Sequence, residues 1–161
     1  MDTEERIKQL VSELNLLPHP EGGFYKETYR SIDLVKTPNG ERNLCTVIYF
    51  LLTSENVSKF HRIKSDEHWF WHEGSPLNIH LLTEKGYEIL PLGPVDEFGN
   101  QPQQLVKAQV IFGSSVAKAD SYALVSCVVS PGFDFQDFEL FSADDLLNKF
   151  PEEEEIIRTL T

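Results

Sequence analysis

The segment from Glu67 to Glu73 constrains the fold of this chain more than any other, because it combines alternating aromatic residues with charged ones. Its aromatic content is typical of a β-strand, and Gly74 marks a turn after it. Side chains along a strand alternate between two faces. One face then carries Glu67, Trp69 and Trp71, and the opposite face carries His68, Phe70 and His72. Because both faces are aromatic, we expect this strand to lie between a barrel lumen and another layer, such as a second subunit.

The loop before this strand carries side chains that can take part in chemistry. His61, Lys64 and Asp66 precede Glu67, which would occupy the first lumen position of the strand. A histidine followed by a carboxylate at the mouth of a barrel is a candidate functional site. The alternative is that His61 and Glu67 form a surface pair at the strand end.

Two other groups of histidines have structural interpretations. His68 and His72 lie on the outer face of the strand, where packing and one hydrogen bond can satisfy an imidazole. His19 stands between two prolines and is predicted to be a turn residue.

Length and charge limit the classes of protein to consider. The 161 residues predict a single domain over 1–161. A net charge of −12 argues against a nucleic-acid partner or an anionic membrane surface. The longest apolar runs are too short to span a membrane, and no signal peptide is visible, so we expect a cytoplasmic protein. In that compartment we expect Cys45 and Cys127 to be buried free thiols.

The remaining pattern predicts a mainly β fold between terminal helices. Asp2 and Glu5 form a capping-box signature for a helix that ends near Leu16, and Ser142 and Pro151 begin two short C-terminal helices. The predicted strands cover 24–30, 44–53, 67–73, 77–82, 87–92, 105–112, 122–129 and 133–141. Eight or so short strands separated by turns predict a closed or sandwich-like antiparallel barrel.

Several blocks of the sequence resemble a known family. The run from Ser65 to Gly74 resembles the first motif of the cupin superfamily, and the blocks at 18–25, 60–67 and 122–140 together resemble the small single-domain cupin family of unknown function often called the fifth cupin family. This resemblance implies a double-stranded β-helix, the jelly-roll barrel, whose lumen is the ligand site and which usually forms a homodimer. It implies the architecture far better than the reaction.

The chain departs from the pattern of metal-binding cupins. Metal-binding members of the superfamily that this chain resembles bind the metal with three histidines and one carboxylate. Here only His61 and Glu67 stand in first-motif positions, and Phe112 stands at the place of the second-motif histidine. No cofactor is therefore predicted. If a metal binds, the reduced set would be His61, Glu67 and His80.

The resulting functional prediction is a small-molecule-binding cupin acting as a metal-independent epimerase or isomerase on a sugar-like or carbonyl-containing metabolite. His61 would be the base, Glu67 or Asp66 would orient it, and Lys64 would be the electrophile. The ligand would contact the side chains of Tyr25, Trp69, His80 and Phe133. The alternatives are a non-catalytic ligand-binding barrel and a metal-dependent cupin with the reduced ligand set.

Overall fold

The computed structural model describes residues 1–161 and is built mainly from antiparallel strands. The helices are α1 Thr3–Glu13, α2 Ala143–Lys149 and α3 Glu154–Thr159. The strands are β1 Leu17–Pro18, β2 Phe24–Arg30, β3 Leu34–Thr37, β4 Gly40–Asn43, β5 Thr46–Thr53, β6 Val57–Arg62, β7 Asp66–Gly74, β8 Leu77–Thr83, β9 Gly86–Leu92, β10 Gln103–Val106, β11 Ile111–Val116, β12 Tyr122–Ser130 and β13 Glu139–Leu140.

Two sheets face each other around the main core. One has the strand order β1-β2-β5-β12-β7-β10 and the other the order β13-β6-β11-β8-β9, and every pairing between these neighbouring strands is antiparallel. Strands β3 and β4 form a separate hairpin. This arrangement confirms the predicted jelly-roll barrel with an N-terminal helix and short C-terminal helices.

Strand β7 is an inner strand of the six-stranded sheet, between β12 and the edge strand β10. Trp69 is 3% exposed and belongs to the core between the sheets, and Trp71 packs against the same core. His68 and Phe70 stack on each other on the opposite face, with ring centroids 6.3 Å apart. The predicted division of the strand into an inner and an outer face is therefore correct.

The helices cover the outer surfaces of the two sheets. Asp2 and Glu5 form the predicted capping box, and α1 buries Leu10 against Leu51 and Leu124 of the six-stranded sheet. The C-terminal helices pack against the other sheet through Leu146, Ile157 and Leu160. None of the helices has both the length and the apolar character that crossing a membrane requires.

Two predicted strands differ from the structure because local alternation does not reveal where a chain turns. Residues 105–112 divide into the end of β10 and the start of β11, with a turn between them where Gln109 has φ of 70°. Residues 133–141 form a 3₁₀ turn at Phe135–Asp137 and only the two-residue strand β13. Asp134 caps this turn by accepting a hydrogen bond from the Gln136 amide.

Candidate functional site

A cavity of about 320 Å³ opens between the two sheets and is the candidate site. Its wall is largely apolar and aromatic. The hydrophobic rings that line it belong to Tyr25, Phe50, Trp69, Phe133, Phe135 and Phe138. A cavity of this size with an aromatic wall and a few polar groups is typical of a small-molecule site.

Glu67 places a carboxyl group in this cavity from the inner face of β7. It lies near the start of β7, and its Oε2 accepts a hydrogen bond of 2.9 Å from the indole Nε1 of Trp69, two residues along the same face. Burial raises the pKa of Glu67 to about 7, and the Trp69 hydrogen bond opposes this only in part. Glu67 can therefore both donate and accept a proton near neutral pH.

His61 was predicted to lie on a loop, but it belongs to strand β6, from which it presents a hydrogen-bond acceptor to the cavity. Its Nδ1 is 2.6 Å from the Lys59 carbonyl oxygen, which can only accept, so Nδ1 carries the proton and Nε2 does not. The ring packs between Phe112 and Phe138, with centroid distances of 4.3 Å and 5.2 Å. Burial lowers the pKa of His61 to about 4, so this imidazole is neutral at pH 7.

His19 also lines the cavity and has the opposite tautomer. Its Nδ1 accepts a 3.0 Å hydrogen bond from the Glu21 amide, which leaves the proton on Nε2. The ring edge meets Tyr25 at 4.9 Å and Phe50 at 5.6 Å between centroids. Burial lowers the pKa of His19, so it is neutral as well. The two imidazoles thus offer one donor and one acceptor.

The sequence predicted His19 only as a turn residue, and that prediction missed its place in the cavity wall. The turn itself exists, but Gly22 and Gly23 have φ of 107° and 77° and fold it tightly onto the barrel. A Cβ at either glycine would lie 2.5 Å from a backbone carbonyl oxygen, that of Val57 or of Leu51. The glycine pair after His19 was the available signal, because such a close backbone approach fixes the preceding residues.

Besides Glu67, the charged residues at the cavity are Glu21, Glu27 and Arg30. The Arg30 guanidinium binds both carboxylate oxygens of Glu27, at 3.2 Å from Nε and 2.6 Å from Nη2. Its Nη1 donates to Asn43 Oδ1 and to the carbonyl oxygen of Phe133. Arg30 therefore ties β2 to the aromatic segment that follows β12, and its charge is neutralised by Glu27.

That aromatic segment, residues 133–138, is held in place by a buried ion pair. Arg42 Nε and Nη2 each donate a 2.8 Å hydrogen bond to Asp137, and the two side chains are only 7% and 8% exposed. The Arg42 guanidinium lowers the pKa of Asp137. The Phe133 amide also donates to Thr46 Oγ1 at 3.0 Å. These contacts fix the rings of Phe133 and Phe138 against the cavity.

A pair of serines forms a polar patch on the inner face of the other sheet. Ser58 lines the cavity, and Ser114 lies directly opposite it on the neighbouring strand. The Ser114 hydroxyl is fully buried and has no hydrogen-bond partner. A polar group of a ligand placed beside Ser58 would supply the missing hydrogen bond and so stabilise this hydroxyl.

Comparison with known proteins identifies the family. Residues 8–141 match the family model described as "Cupin superfamily (DUF985)", which covers most of the chain. The chain belongs to the cupin superfamily.

Relatives of this cupin occur in three organisms, and for two of them a solved structure shows the same fold. It is 32% identical to the uncharacterized protein YML079W of Saccharomyces cerevisiae over 88% of this chain and 78% of that protein. A hypothetical protein from Leishmania major has a TM-score of 0.90 and 39% identity, covering 96% of this cupin and 97% of its own chain. Protein SO0799 from Shewanella oneidensis has a TM-score of 0.87 and 40% identity, covering 96% of both chains.

The cupin does not assemble the reduced metal set proposed from its sequence. His80 lies on the outer face of β8, because Ile79 and Leu81 point into the core. Its two ring nitrogens are held by Tyr87 Oη at 2.6 Å and Ser115 Oγ at 2.8 Å. No three His, Cys, Asp or Glu side chains come together in a way that would hold a metal ion. Because its side chain points away from the cavity, His80 also does not make the ligand contact that the sequence predicted.

Two other predicted catalytic residues lie outside the cavity of this cupin. Lys64 is exposed, and its ammonium donates to Asn39 Oδ1 at 3.2 Å. Asp66 accepts a 2.8 Å hydrogen bond from the Ala108 amide and so holds the start of β7 to the turn before β11. The placement of both on the lumen was wrong, because Lys64 lies on the loop before β7 and Asp66, next to the inward-facing Glu67 on β7, faces the other way.

Five predicted site residues do line the cavity of the cupin. They are Tyr25, His61, Glu67, Trp69 and Phe133. Their placement agrees with the predicted inner face, and their functional roles stay predictions. Cys127, opposite Trp69 on β12, is a further wall residue, and burial raises the pKa of its thiol so that it stays protonated.

Proposed function

We propose that this cupin binds a small carbonyl-containing molecule in the cavity and moves a proton on it without a metal, as an isomerase or epimerase does. The observation that carries the proposal is the position of Glu67 in the apolar cavity wall, where loss of solvation raises its pKa to about 7. A carboxyl group with a pKa near the working pH is suited to general acid–base catalysis.

The proton transfer would use three side chains in different roles. Ionised Glu67 removes a proton from the carbon next to the carbonyl, and the electron pair of that C–H bond moves to the carbonyl oxygen as an enolate forms. The Nε2–H of His19 donates a hydrogen bond to that oxygen. Glu67 then returns the proton to the former carbonyl carbon, while the hydroxyl proton of the neighbouring carbon moves to the enolate oxygen, so the carbonyl group shifts by one carbon. The Nε2 of His61 accepts a hydrogen bond from a hydroxyl of the ligand.

This proposal changes the roles that the sequence suggested. His61 is less suited to be the base, since a group with a pKa of about 4 holds a proton weakly at pH 7. Lys64 and Asp66 have no part in it because they lie outside the cavity.

The test begins with the molecule that the purified protein retains. That molecule is released by denaturation, identified by mass spectrometry and incubated with the protein in D₂O. We expect one carbon-bound hydrogen to exchange for deuterium, and we expect Glu67→Gln to slow this exchange by about a hundredfold or more.

The control is Glu88→Gln, the same change at an exposed residue of β9 outside the cavity, which should exchange at the wild-type rate. His61→Asn should weaken binding more than it slows exchange, since an asparagine cannot reproduce the Nε2 acceptor at the same place. Binding without any exchange would contradict the proposed chemistry and favour the alternative of a non-catalytic ligand-binding barrel.

We further propose that the protein is a homodimer formed through the outer face of the six-stranded sheet. Val128 lies beside Val47 and His68 on that face, and all three are only partly buried. Phe70 adds a further aromatic ring there. An apolar sheet face of this kind is typical of a subunit contact.

We also propose that the protein works in the cytoplasm. The two cysteines are free thiols, one of them buried, and a reducing compartment keeps thiols in this state. Fractionation of cells that produce the protein, followed by detection with an antibody, would test this expectation.

A further inference from the structure

The residues that line the cavity carry more negative than positive charge. The carboxyl groups are those of Glu21, Glu27 and Glu67, and Arg30 is the one guanidinium. Arg30 is held in a bidentate pair by Glu27, and its Nη1 is occupied by Asn43 and by a backbone carbonyl. The cation at the cavity is therefore already neutralised.

The two imidazoles add no positive charge at neutral pH. Burial lowers the pKa of both His19 and His61, and each ring has one nitrogen committed to the backbone. Glu21 and Glu67 remain as carboxyl groups without a cationic partner in the cavity. An anionic ligand would be repelled by any ionised carboxylate here and would meet no free cation.

The aromatic wall favours the opposite charge. The rings of Phe133, Phe135 and Phe138 form a cluster with centroid distances of 5.0 Å to 6.3 Å, and Trp69 and Tyr25 complete the wall. The face of an aromatic ring carries negative electrostatic potential and attracts an ammonium group. Aromatic rings combined with unpaired carboxyl groups are the arrangement that recognises organic cations.

We propose that the cavity selects its ligand by charge, accepting a small organic ammonium ion with an apolar body and rejecting carboxylates and phosphates. This inference rests on the proposed function in that it places the ligand in the same cavity, and it deepens that proposal by naming the ligand class. The ammonium group would lie near Glu67 and Glu21, and the apolar body would pack on the rings.

The test compares three probes of the same shape. They are 2-phenylethylamine, 2-phenylethanol and phenylacetate, titrated into the wild-type protein by calorimetry at about pH 7.5, where the amine is protonated like a lysine. We expect the amine to bind about tenfold more tightly than the alcohol, and phenylacetate to bind at least tenfold more weakly than the alcohol. Equal affinities, tighter binding of phenylacetate, or no binding of any probe would overturn the proposal.

A pair of matched variants separates the cavity from the charge of the whole molecule. Glu21→Gln removes one cavity carboxylate and should reduce the ratio of amine to phenylacetate affinity about fivefold. Glu97→Gln makes the same change in net charge on an exposed loop outside the cavity and should leave that ratio unchanged. A similar change in both variants would overturn the proposal, because the selection would then come from the net charge of −12.

The outcomes also distinguish this inference from the proposed function. Probe binding needs no turnover, so the charge preference can hold even where Glu67→Gln leaves deuterium exchange unchanged. Conversely, deuterium exchange that depends on Glu67 can occur on a ligand that is neutral or anionic, which would contradict the preference for a cation. Each proposal therefore fails on its own measurement.

Discussion

At the scale of single residues, burial decides which side chains can do chemistry and which only stabilise the fold. Glu67 and Asp137 are both carboxyl groups with low exposure, yet their pKa values shift in opposite directions. Glu67 meets only an indole N–H, so burial favours its neutral form, whereas the Arg42 guanidinium favours the charged form of Asp137. The first is available for proton transfer, and the second is a structural link.

The raised pKa of Glu67 predicts that this residue destabilises the folded protein as the pH rises. Its pKa is 4.5 without burial and about 7 in the folded state, so the folded state binds the proton more tightly between these values. The free energy of unfolding should therefore fall through this window, by up to about 3 kcal/mol for this group. Glu67→Gln removes the effect, so the variant should gain stability relative to wild type between pH 4.5 and pH 8 in urea denaturation.

The control for this stability measurement is a carboxyl group outside the cavity. Glu88→Gln on the exposed surface of β9 should show no such gain relative to wild type across the same pH range. A stability difference between wild type and Glu67→Gln that stays constant with pH would show that Glu67 does not titrate in this window.

The buried pair of Arg42 and Asp137 predicts a large loss of stability on truncation of one partner. Asp137→Ala leaves a guanidinium buried without its carboxylate, which should lower the free energy of unfolding by about 3–5 kcal/mol. The exposed pair of Arg158 and Glu154 provides the control, and Glu154→Ala should cost about 1 kcal/mol or less. Urea denaturation of both variants measures the two losses, and equal losses would contradict the structural role of the buried pair.

At the scale of elements, the cavity depends on short connecting segments as much as on the strands. Strands β6 and β7 place His61 and Glu67 on the inner surface, but the turn before β2 supplies His19 and the segment after β12 supplies the aromatic rings. Each connection is fixed by contacts far away in sequence: the glycine turn lies on the backbone of Leu51 and Val57, and Asp137 binds Arg42.

The glycine turn predicts a position-specific cost for an added methyl group. Gly23→Ala combines φ of 77° with a Cβ that would lie 2.5 Å from the Leu51 carbonyl oxygen. Gly86→Ala has φ of 104° but meets nothing within 4 Å, so it carries the backbone cost alone, about 1–2 kcal/mol. We expect Gly23→Ala to lose at least about 1 kcal/mol more in thermal unfolding, since its backbone must also shift. Equal losses would mean that the turn accommodates the methyl group.

At the scale of the whole molecule, the two sheets differ in what covers their outer faces. The C-terminal helices cover the five-stranded sheet through a core cluster that includes Phe60 and Ile111. Helix α1 covers only part of the six-stranded sheet, near Leu51 and Leu124. The rest of that face carries Val47, Val128 and aromatic side chains that the proposed second subunit would bury.

The proposed dimer predicts that one charge on this face changes the size of the molecule in solution. Wild type should sediment at twice the chain mass of 18.4 kDa, and Val128→Arg should sediment as a monomer because an arginine beside Val47 and His68 cannot be buried without a partner. Val95→Arg, on an exposed loop, should keep the wild-type mass. A monomeric wild type in analytical ultracentrifugation would contradict the dimer.

Much of the architecture could be predicted because it depends on local pattern. The alternation of Trp69 with Phe70 identified the inner and outer faces of β7, and the capping box identified the start of α1. Likewise, the absence of a histidine at Phe112 was visible directly in the sequence. These features follow from the period of a strand or helix and from the identity of single residues, so no distant contact is needed to recognise them.

Only the tertiary structure decided which polar residues meet in the cavity. The sequence alone shows that His80 lies on the face of β8 opposite to Ile79 and Leu81. Which of the two faces points outward depends on how β8 pairs with β9 and β11. His19 reaches the cavity because its glycine turn lies against the backbone of Leu51 and Val57, whereas the Lys64 ammonium is bound outside the cavity by the side chain of Asn39. The sequence by itself determined the barrel and its apolar interior, since burial patterns are local, whereas the site required the long-range register of the strands.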